Sequence, residues 1–271
     1  AFLTSLFNQV PTSLNAESYG KIVEGHSVRR KMITAANRIA SLAYNTETSV
    51  DEVMGESEKA VFNVSERRLR HDLQPIRSVL SDYYDRIDDL SKRPEEIHGV
   101  PTGFIDLDKM LSGLQPSDLL IIAGRPGQGK TGFLLSVAKN AALTHKKHVA
   151  IFSLEMSNEQ VVQRLIAQET AIDSQRLRNG KLTQEEWPLF THAIEVMSDT
   201  KIFLDDTPAI TPLQLRTKCR RLHMEFNLDL VIVDYIQLMG GESRNENRVQ
   251  EVSFISRSLK VLARELNVPV L

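Results

Sequence analysis

The residues Gly124-Arg125-Pro126-Gly127-Gln128-Gly129-Lys130-Thr131 fit the spacing G-x-x-x-x-G-K-[ST] and directly follow the apolar run Leu119-Leu120-Ile121-Ile122-Ala123. Glycines let a backbone curl until successive N–H groups point at phosphate oxygens, and a helix that begins at the loop adds the positive end of its dipole. In such a loop Gly124 to Gly129 enclose the phosphates. Lys130 reaches the β- and γ-phosphates as a mobile point charge, and the Thr131 hydroxyl is a natural inner ligand for Mg²⁺. The same pattern also occurs in plain glycine-rich turns. Context favours nucleotide binding here, because the preceding run reads as a buried parallel strand and Phe133-Leu134-Leu135-Ser136-Val137-Ala138 as a buried helix.

Two acids complete a hydrolytic constellation. Leu228-Asp229-Leu230-Val231-Ile232-Val233-Asp234 is a hydrophobic strand ending in a carboxylate, the Walker B form. Ligands of an open parallel sheet bind at the carboxyl ends of its strands, so Asp234 is expected beside the phosphate loop as a Mg²⁺ ligand, directly or through water. Phe152-Ser153-Leu154-Glu155-Met156-Ser157 closes another strand, and Glu155 falls at its carboxyl end. There it can orient and deprotonate the water that attacks a γ-phosphate. The competing reading makes Glu155 an acid favoured by the dipole of the helix that follows; its strand-end position favours the base.

The elements that must hold these groups alternate after Pro94. Apolar strands are expected at 119–123, 148–152, 201–204, 229–234 and 268–271, with helices at about 131–143, 158–169, 184–197, 212–226 and 247–266. Such alternation implies an α/β fold with a mainly parallel sheet covered on both faces. Ser157 with Gln160, Thr183 with Glu186, and Thr211 followed by Pro212 read as helix starts. The first ninety residues read as helices instead. One runs from about Asn15 to Tyr44, with Ile22, Ile33, Ala36, Ile39, Ala40 and Ala43 on it; a second follows a capping box at Ser49–Glu52. Together they suggest a helical hairpin. From Leu73 the apolar residues Leu73, Ile76, Leu80, Tyr83, Ile87 and Leu90 form a narrow seam that must be buried, either on the same chain or on a neighbouring subunit.

The 271 residues carry a formal net charge of -2, so a polyanionic partner would have to be gripped locally or by an assembly rather than by the whole surface. The single cysteine, Cys219, excludes an internal disulfide, and no long apolar run marks a membrane span. A soluble cytoplasmic protein is expected. Both ends read as cut through an element, at Phe2-Leu3-Leu6-Phe7 and at Val268-Pro269-Val270-Leu271.

In this order the segments resemble the bacterial replicative DNA helicase of the DnaB type, a hexameric ring with RecA-like motors. The resemblance rests on Gly99-Val100-Pro101-Thr102-Gly103-Phe104 with Asp106-Leu107-Asp108, the phosphate loop, Ser153 to Ser157, Val233-Asp234-Tyr235-Ile236-Gln237-Leu238-Met239, Glu246-Asn247-Arg248-Val249-Gln250-Glu251, and Leu259-Lys260 through Glu265 to Val270. It implies a RecA-like P-loop ATPase core over 94–271, a linker helix over 71–93 and the last hairpin of an N-terminal collar domain over 1–70. The function implied is ATP-driven translocation along single-stranded DNA in a homo-hexamer, with primase and a helicase loader as partners and ATP with Mg²⁺ at the site. By the same resemblance Glu155 is the catalytic glutamate and Arg164 a nucleotide-contacting arginine, against which stands an ordinary surface arginine. The linker helix docks on the adjacent subunit. Arg244 and Arg248 lie where the family projects a loop toward the central channel and are candidates for DNA phosphates, the alternative being a solvated polar turn. The family's polar sensor and basic finger are expected after Leu271. Two other functions stand beside this one: a RecA-family recombination or clock-type ATPase, and a non-hydrolysing, nucleotide-gated ring scaffold.

Overall fold

A computed structural model of the chain describes residues 16–45, 50, 53, 55–57, 60–61, 75–92, 97–240 and 248–271. The chain divides into two compact units, Ala1–Asp88 and Asp89–Leu271.

In the first unit α1 runs Ala16–Tyr44, close to expectation. Its half-buried side is Val28, Lys31, Ala35, Ile39 and Leu42, while Ile22 and Ile33 are exposed. The expected apolar set is therefore only partly the packed one. Helical residues recur between 50 and 61, and Arg38 of α1 reaches Glu56 there at 2.9 Å. The capping box at Ser49–Glu52 lies outside the described residues. Helix α2 covers Ile76–Ser91, and Ile76, Val79, Leu80, Tyr83, Tyr84 and Ile87 are all exposed along it. Leu73 lies outside the described residues.

The second unit is built on three parallel strands, β1 (Val149–Ser153), β2 (Ile202–Asp205) and β3 (Leu230–Asp234), in the order β2-β1-β3. Alternation along the strands explains the layering, because successive side chains point to opposite faces. Ala150, Phe152, Val231 and Val233 join one core cluster with α8 (Pro212–Phe226) and α9 (Arg248–Leu266). Val149, Ile151, Leu230 and Ile232 join the other, with α4 (Lys130–Leu143) and α5 (Asn158–Thr170). A sheet covered on both faces calls for near-continuous apolar strands, which β1 and β3 supply up to Ser153 and Asp234 at their carboxyl ends. Cys219 lies inside the first cluster, where burial pushes its thiol up and the Asp205 charge adds to the effect.

Two expected strands are only bridges. Val270 pairs in parallel with Val231 on one side and Leu119 on the other, extending the sheet toward the phosphate loop. Leu120 donates to the Val270 carbonyl at 2.8 Å, and Val270 to that of Asp118 at 2.8 Å. Beyond Leu120 the run has no ladder among the described residues. Ile121 and Ile122 are 63% and 41% exposed.

The helices follow the periodicity. Ser157 and Thr211 each close a reciprocal capping box, and Pro212 opens α8. Thr183 behaves differently: Glu186 caps its N–H at 2.9 Å, but α7 (Glu186–Ser198) begins later, behind Glu185. Two short helices have no counterpart in the sequence reading, α3 (Ile105–Leu111) and α6 (Ser174–Arg178). No helix among the described residues is long and apolar enough to cross a membrane.

Candidate functional site

The loop ahead of α4 needs its glycines for geometry. Gly127 and Gly129 adopt φ of +77° and +85°, left-handed values that L side chains rarely take, and Gly129 is the residue from which α4 starts. At Gly124 a Cβ would lie 3.3 Å from Lys130 Cγ, so the lysine stem passes over a bare backbone. Gln128 N–H closes a turn onto the Arg125 carbonyl at 3.2 Å, and the Phe133 N–H donates to the Gly129 carbonyl at 2.9 Å. The loop residues from Gly124 to Gly129 are exposed at the sheet's carboxyl rim.

Sequence-distant groups meet there. The Thr131 hydroxyl donates to Oδ2 of Asp234 at 2.6 Å across 103 residues, and Asp234 is only 6% exposed at the end of β3. Lys130 Nζ sits over the Tyr235 ring, 5.1 Å from its centroid. A cavity of about 150 Å³ is lined by Gly124, Lys130, Asp234 and Tyr235 beside the apolar run at 119–123. A hydroxyl and a carboxylate converging at a helix start form a hard-oxygen pair of the kind Mg²⁺ takes alongside phosphates and water. No group of three or more His, Cys, Asp or Glu is placed to hold a metal among the described residues. A protein-only metal cage is thus not what these residues build.

Glu155 lies two residues beyond β1. Ser153 pairs with Asp234, and Leu154 N–H donates to the Asp234 carbonyl at 2.8 Å, which places Glu155 on the same rim as the buried acid. It is exposed and makes no hydrogen bond or ion pair among the described residues. The helix behind it starts only at Asn158, with Ser157 as cap and Glu159 as the acid of its first turn.

The three arginines part company. Arg164, exposed on α5, opens on a separate polar cleft of about 200 Å³ with Gln160, Gln163, Gln175 and Arg178, and does not line the phosphate-loop cavity. Arg244 lies outside the described residues. Arg248 opens α9, where its guanidinium donates to Glu251 at 2.5 Å and to the Gln237 carbonyl.

One supporting feature is legible in the sequence only as part of a resemblance. The buried Asp108 carboxylate accepts from the Thr102 N–H and hydroxyl, both at 2.8 Å, and from the Gly103 N–H at 3.0 Å. Gly103, at φ +86°, packs where a Cβ would meet Asn140 Cγ at 2.6 Å, and Phe104 stacks on Phe133 at 4.8 Å. Segment 101–104 is thereby stapled to α4, the helix that carries Lys130 and Thr131. The signal available for it is an acid shortly after Thr-Gly.

A phosphate loop joined to a strand-end acid on a parallel, doubly covered sheet defines a P-loop nucleotide-binding protein. Residues 99–271 match the family model of the DnaB-like helicase C-terminal domain, and the chain belongs to that family. It is 47% identical over 272 residues to the replicative DNA helicase DnaB of Geobacillus stearothermophilus, covering 100% of this chain and 60% of that protein. To the replicative DNA helicase DnaC of Bacillus subtilis (strain 168) it is 46% identical, with the same coverage. The chain thus spans 60% of the length of these curated relatives. Among solved structures, one described as an ATPase domain superposes with a TM-score of 0.68 at 32% identity, over 73% of this chain and 70% of that one. A DnaB-like replicative helicase, described with its interactions with primase, superposes with a TM-score of 0.76 at 28% identity, over 99% of this chain and 62% of that one.

Proposed function

We propose that this chain is the motor portion of a replicative DNA helicase, in which ATP hydrolysis at the phosphate loop drives translocation along single-stranded DNA and separates the duplex at a replication fork. The observation that carries the reading is the 2.6 Å bond between Thr131 and Asp234, because it joins the two halves of a nucleotide site across 103 residues of sequence.

The placement of the residues supports the following roles. Gly124, Arg125, Gly127 and Gly129 present backbone N–H groups to the phosphates, Pro126, which has no N–H, and Gln128, whose N–H closes the turn onto Arg125, shape the loop around them, and Lys130 brings a positive charge to the transferring group. Thr131 and Asp234 would hold Mg²⁺, which when bound supplies positive charge at the phosphate oxygens. Glu155, unpaired on the same rim, takes the proton of the attacking water on a carboxylate oxygen. Arg164 is the nucleotide-contacting arginine of this reading, working from its own cleft beside Gln160 and Arg178.

Domain roles and partners rest on the family. Residues 1–70 form the end of a collar domain and 71–93 a linker helix; the exposed stripe of α2 docks on the adjacent subunit of a homo-hexamer. Ring assembly brings together copies of the 239–248 loop, where Arg244 and Arg248 hold DNA phosphates, and this reconciles a net charge of -2 with a polyanionic substrate. Primase and a helicase loader are the expected partners, in the cytoplasm. The test uses the full-length protein: Lys130→Ala should abolish ATP turnover and strand displacement while rings still form. ATP hydrolysis persisting in that variant would overturn the assignment, and a wild-type ring that hydrolyses ATP yet never displaces a strand with its loader present would overturn the helicase step alone.

A further inference from the structure

Tyr235 has no role in the scheme above, yet its ring lies 5.1 Å from Lys130 Nζ and both line the same cavity. We propose that Tyr235 is a positioning residue for Lys130, holding the ammonium in the phosphate slot by a cation–π contact and keeping it off the neighbouring carboxylate of Asp234. This rests on the reading of the loop as a nucleotide site.

The physical case starts from what a lysine does when unassisted. Its four-carbon stem is flexible and its charge seeks the nearest carboxylate. Asp234 is nearby, buried, and of opposite sign, so an ion pair between them would occupy the acid that Thr131 engages at 2.6 Å. The structure instead separates the two contacts: Asp234 pairs with Thr131, and Lys130 lies over a neutral ring. An aromatic face attracts the ammonium without neutralising it and occupies one side only. The N–H donors directed away from the ring stay available for phosphate oxygens, whose charge-assisted hydrogen bonds are the stronger partners.

The ring is itself fixed by the chain around it. Tyr235 directly follows β3, and its carbonyl accepts from the Leu238 N–H at 3.0 Å at the start of the 3₁₀ turn Ile236–Leu238. Met239, buried in the core, anchors the far end of that turn, with its N–H on the Ile236 carbonyl at 3.2 Å. A half-buried ring so held restricts the lysine's rotamers before nucleotide arrives, which lowers the ordering cost of binding.

The experiment is a double-mutant cycle on binding of a fluorescent ATP analogue with Mg²⁺, in the full-length protein. Tyr235→Leu should weaken binding about two- to fivefold, the range of a partly exposed cation–π contact. Tyr235→Phe, which keeps the ring, should bind like wild type. In a Lys130→Ala background the Leu substitution should have no further effect. Equal weakening in both backgrounds would show that the ring merely packs, and no weakening in either would show that it does nothing for binding; both overturn the proposal. If Tyr235→Leu melts below wild type, Tyr235→Met, closer in volume, takes its place in the cycle under the same criteria. Wild type failing to bind the analogue, or Lys130→Ala binding it normally, would overturn instead the reading of the phosphate loop.

Discussion

Replacing Thr131 with Val tests what holds the buried acid of the site. Valine has nearly the same shape but no donor, so Asp234 loses its 2.6 Å hydrogen bond while remaining 6% exposed. A hydrogen bond to a charged group contributes about 1.5–3 kcal/mol, and deleting the donor leaves a desolvated carboxylate behind. For a unit of this size that corresponds to roughly 3–12 °C in melting temperature. Thr131→Ser keeps the hydroxyl and should melt near wild type. Asp234→Asn should move the other way: the amide oxygen still accepts from Thr131, while the cost of burying a charge disappears, so the nucleotide-free protein should be as stable as wild type or more so. On the proposed role of Asp234 as a Mg²⁺ ligand, the same Asn variant should bind nucleotide equally at low and high Mg²⁺, where wild type tightens. Thermal and urea unfolding of the nucleotide-free full-length protein, with nucleotide titrations at low and high Mg²⁺, read all of these effects. Thr131→Val melting with wild type, or Asp234→Asn falling as far as Thr131→Val, would refute the view that this charge is kept buried at a cost to stability for the sake of metal chemistry.

Three further substitutions probe other parts of the fold. Glu155→Gln should leave nucleotide binding within about twofold and slow single-turnover hydrolysis by about 10²–10⁴, the usual worth of a positioned base; unchanged hydrolysis would remove Glu155 from the mechanism. Gly103→Ala must accommodate both φ +86° and a Cβ 2.6 Å from Asn140 Cγ, whereas Gly180→Ala meets φ +64° in open space. In urea the first should cost clearly more than the roughly 1–2 kcal/mol of left-handed backbone strain expected for the second, and equal losses would argue against the staple of 101–104 onto α4. Burial pushes the Asp205 carboxyl up, but hydrogen bonds from Lys218 and Thr207 and the lysine's charge outweigh it and leave its pKa below the ordinary 3.8. A lowered folded-state value means that its stabilisation is present above the unfolded value and lost as pH falls through the folded one. Wild type should therefore exceed Asp205→Asn by about 1 kcal/mol at neutral pH, a figure discounted for solvent screening of a partly exposed pair. In urea titrations at stepped pH that gap should close below the carboxylate range; a gap independent of pH would contradict the ion-pair account.

What can be read from sequence depends on how local the controlling chemistry is. The phosphate loop needs only glycines and Lys-Thr at fixed offsets, and α4 begins at Lys130 directly behind it. Strands β1 and β3 are apolar at every position before their polar last residues, Ser153 and Asp234, because both faces are covered, and their expected bounds agree with the structure within one residue. The run at 119–123 is just as apolar, yet a strand also needs a partner on its edge, and the pairing offered by Val270 stops at Leu120. Hydrophobicity reports burial in the sequence's own average; a hydrogen-bonded ladder is a property of two segments. Helix α1 makes the same point on a cylinder: it has apolar residues on several sides, and a second element selects the side with Val28, Ala35, Ile39 and Leu42.

The site residues sort along the same line. Asp234 could be placed from the strand that ends in it, and Glu155 from the strand beside it, because β1 and β3 are in register with Ser153 opposite Asp234. The partners of Arg248 could not be placed, since one is the backbone carbonyl of Gln237, 11 residues earlier in the chain. In the proposed helicase, that contact changes what Arg248 must do to hold a DNA phosphate. Its guanidinium is already shared between Glu251 and a carbonyl, so binding DNA means exchanging those partners rather than adding one. In the proposed ring the exchange is cheapest where many phosphates and several copies of Arg248 act together, because each arginine then needs to contribute only a small surplus. In the proposed helicase a monomer of this chain should accordingly bind single strands poorly, and the grip on DNA should appear with the ring.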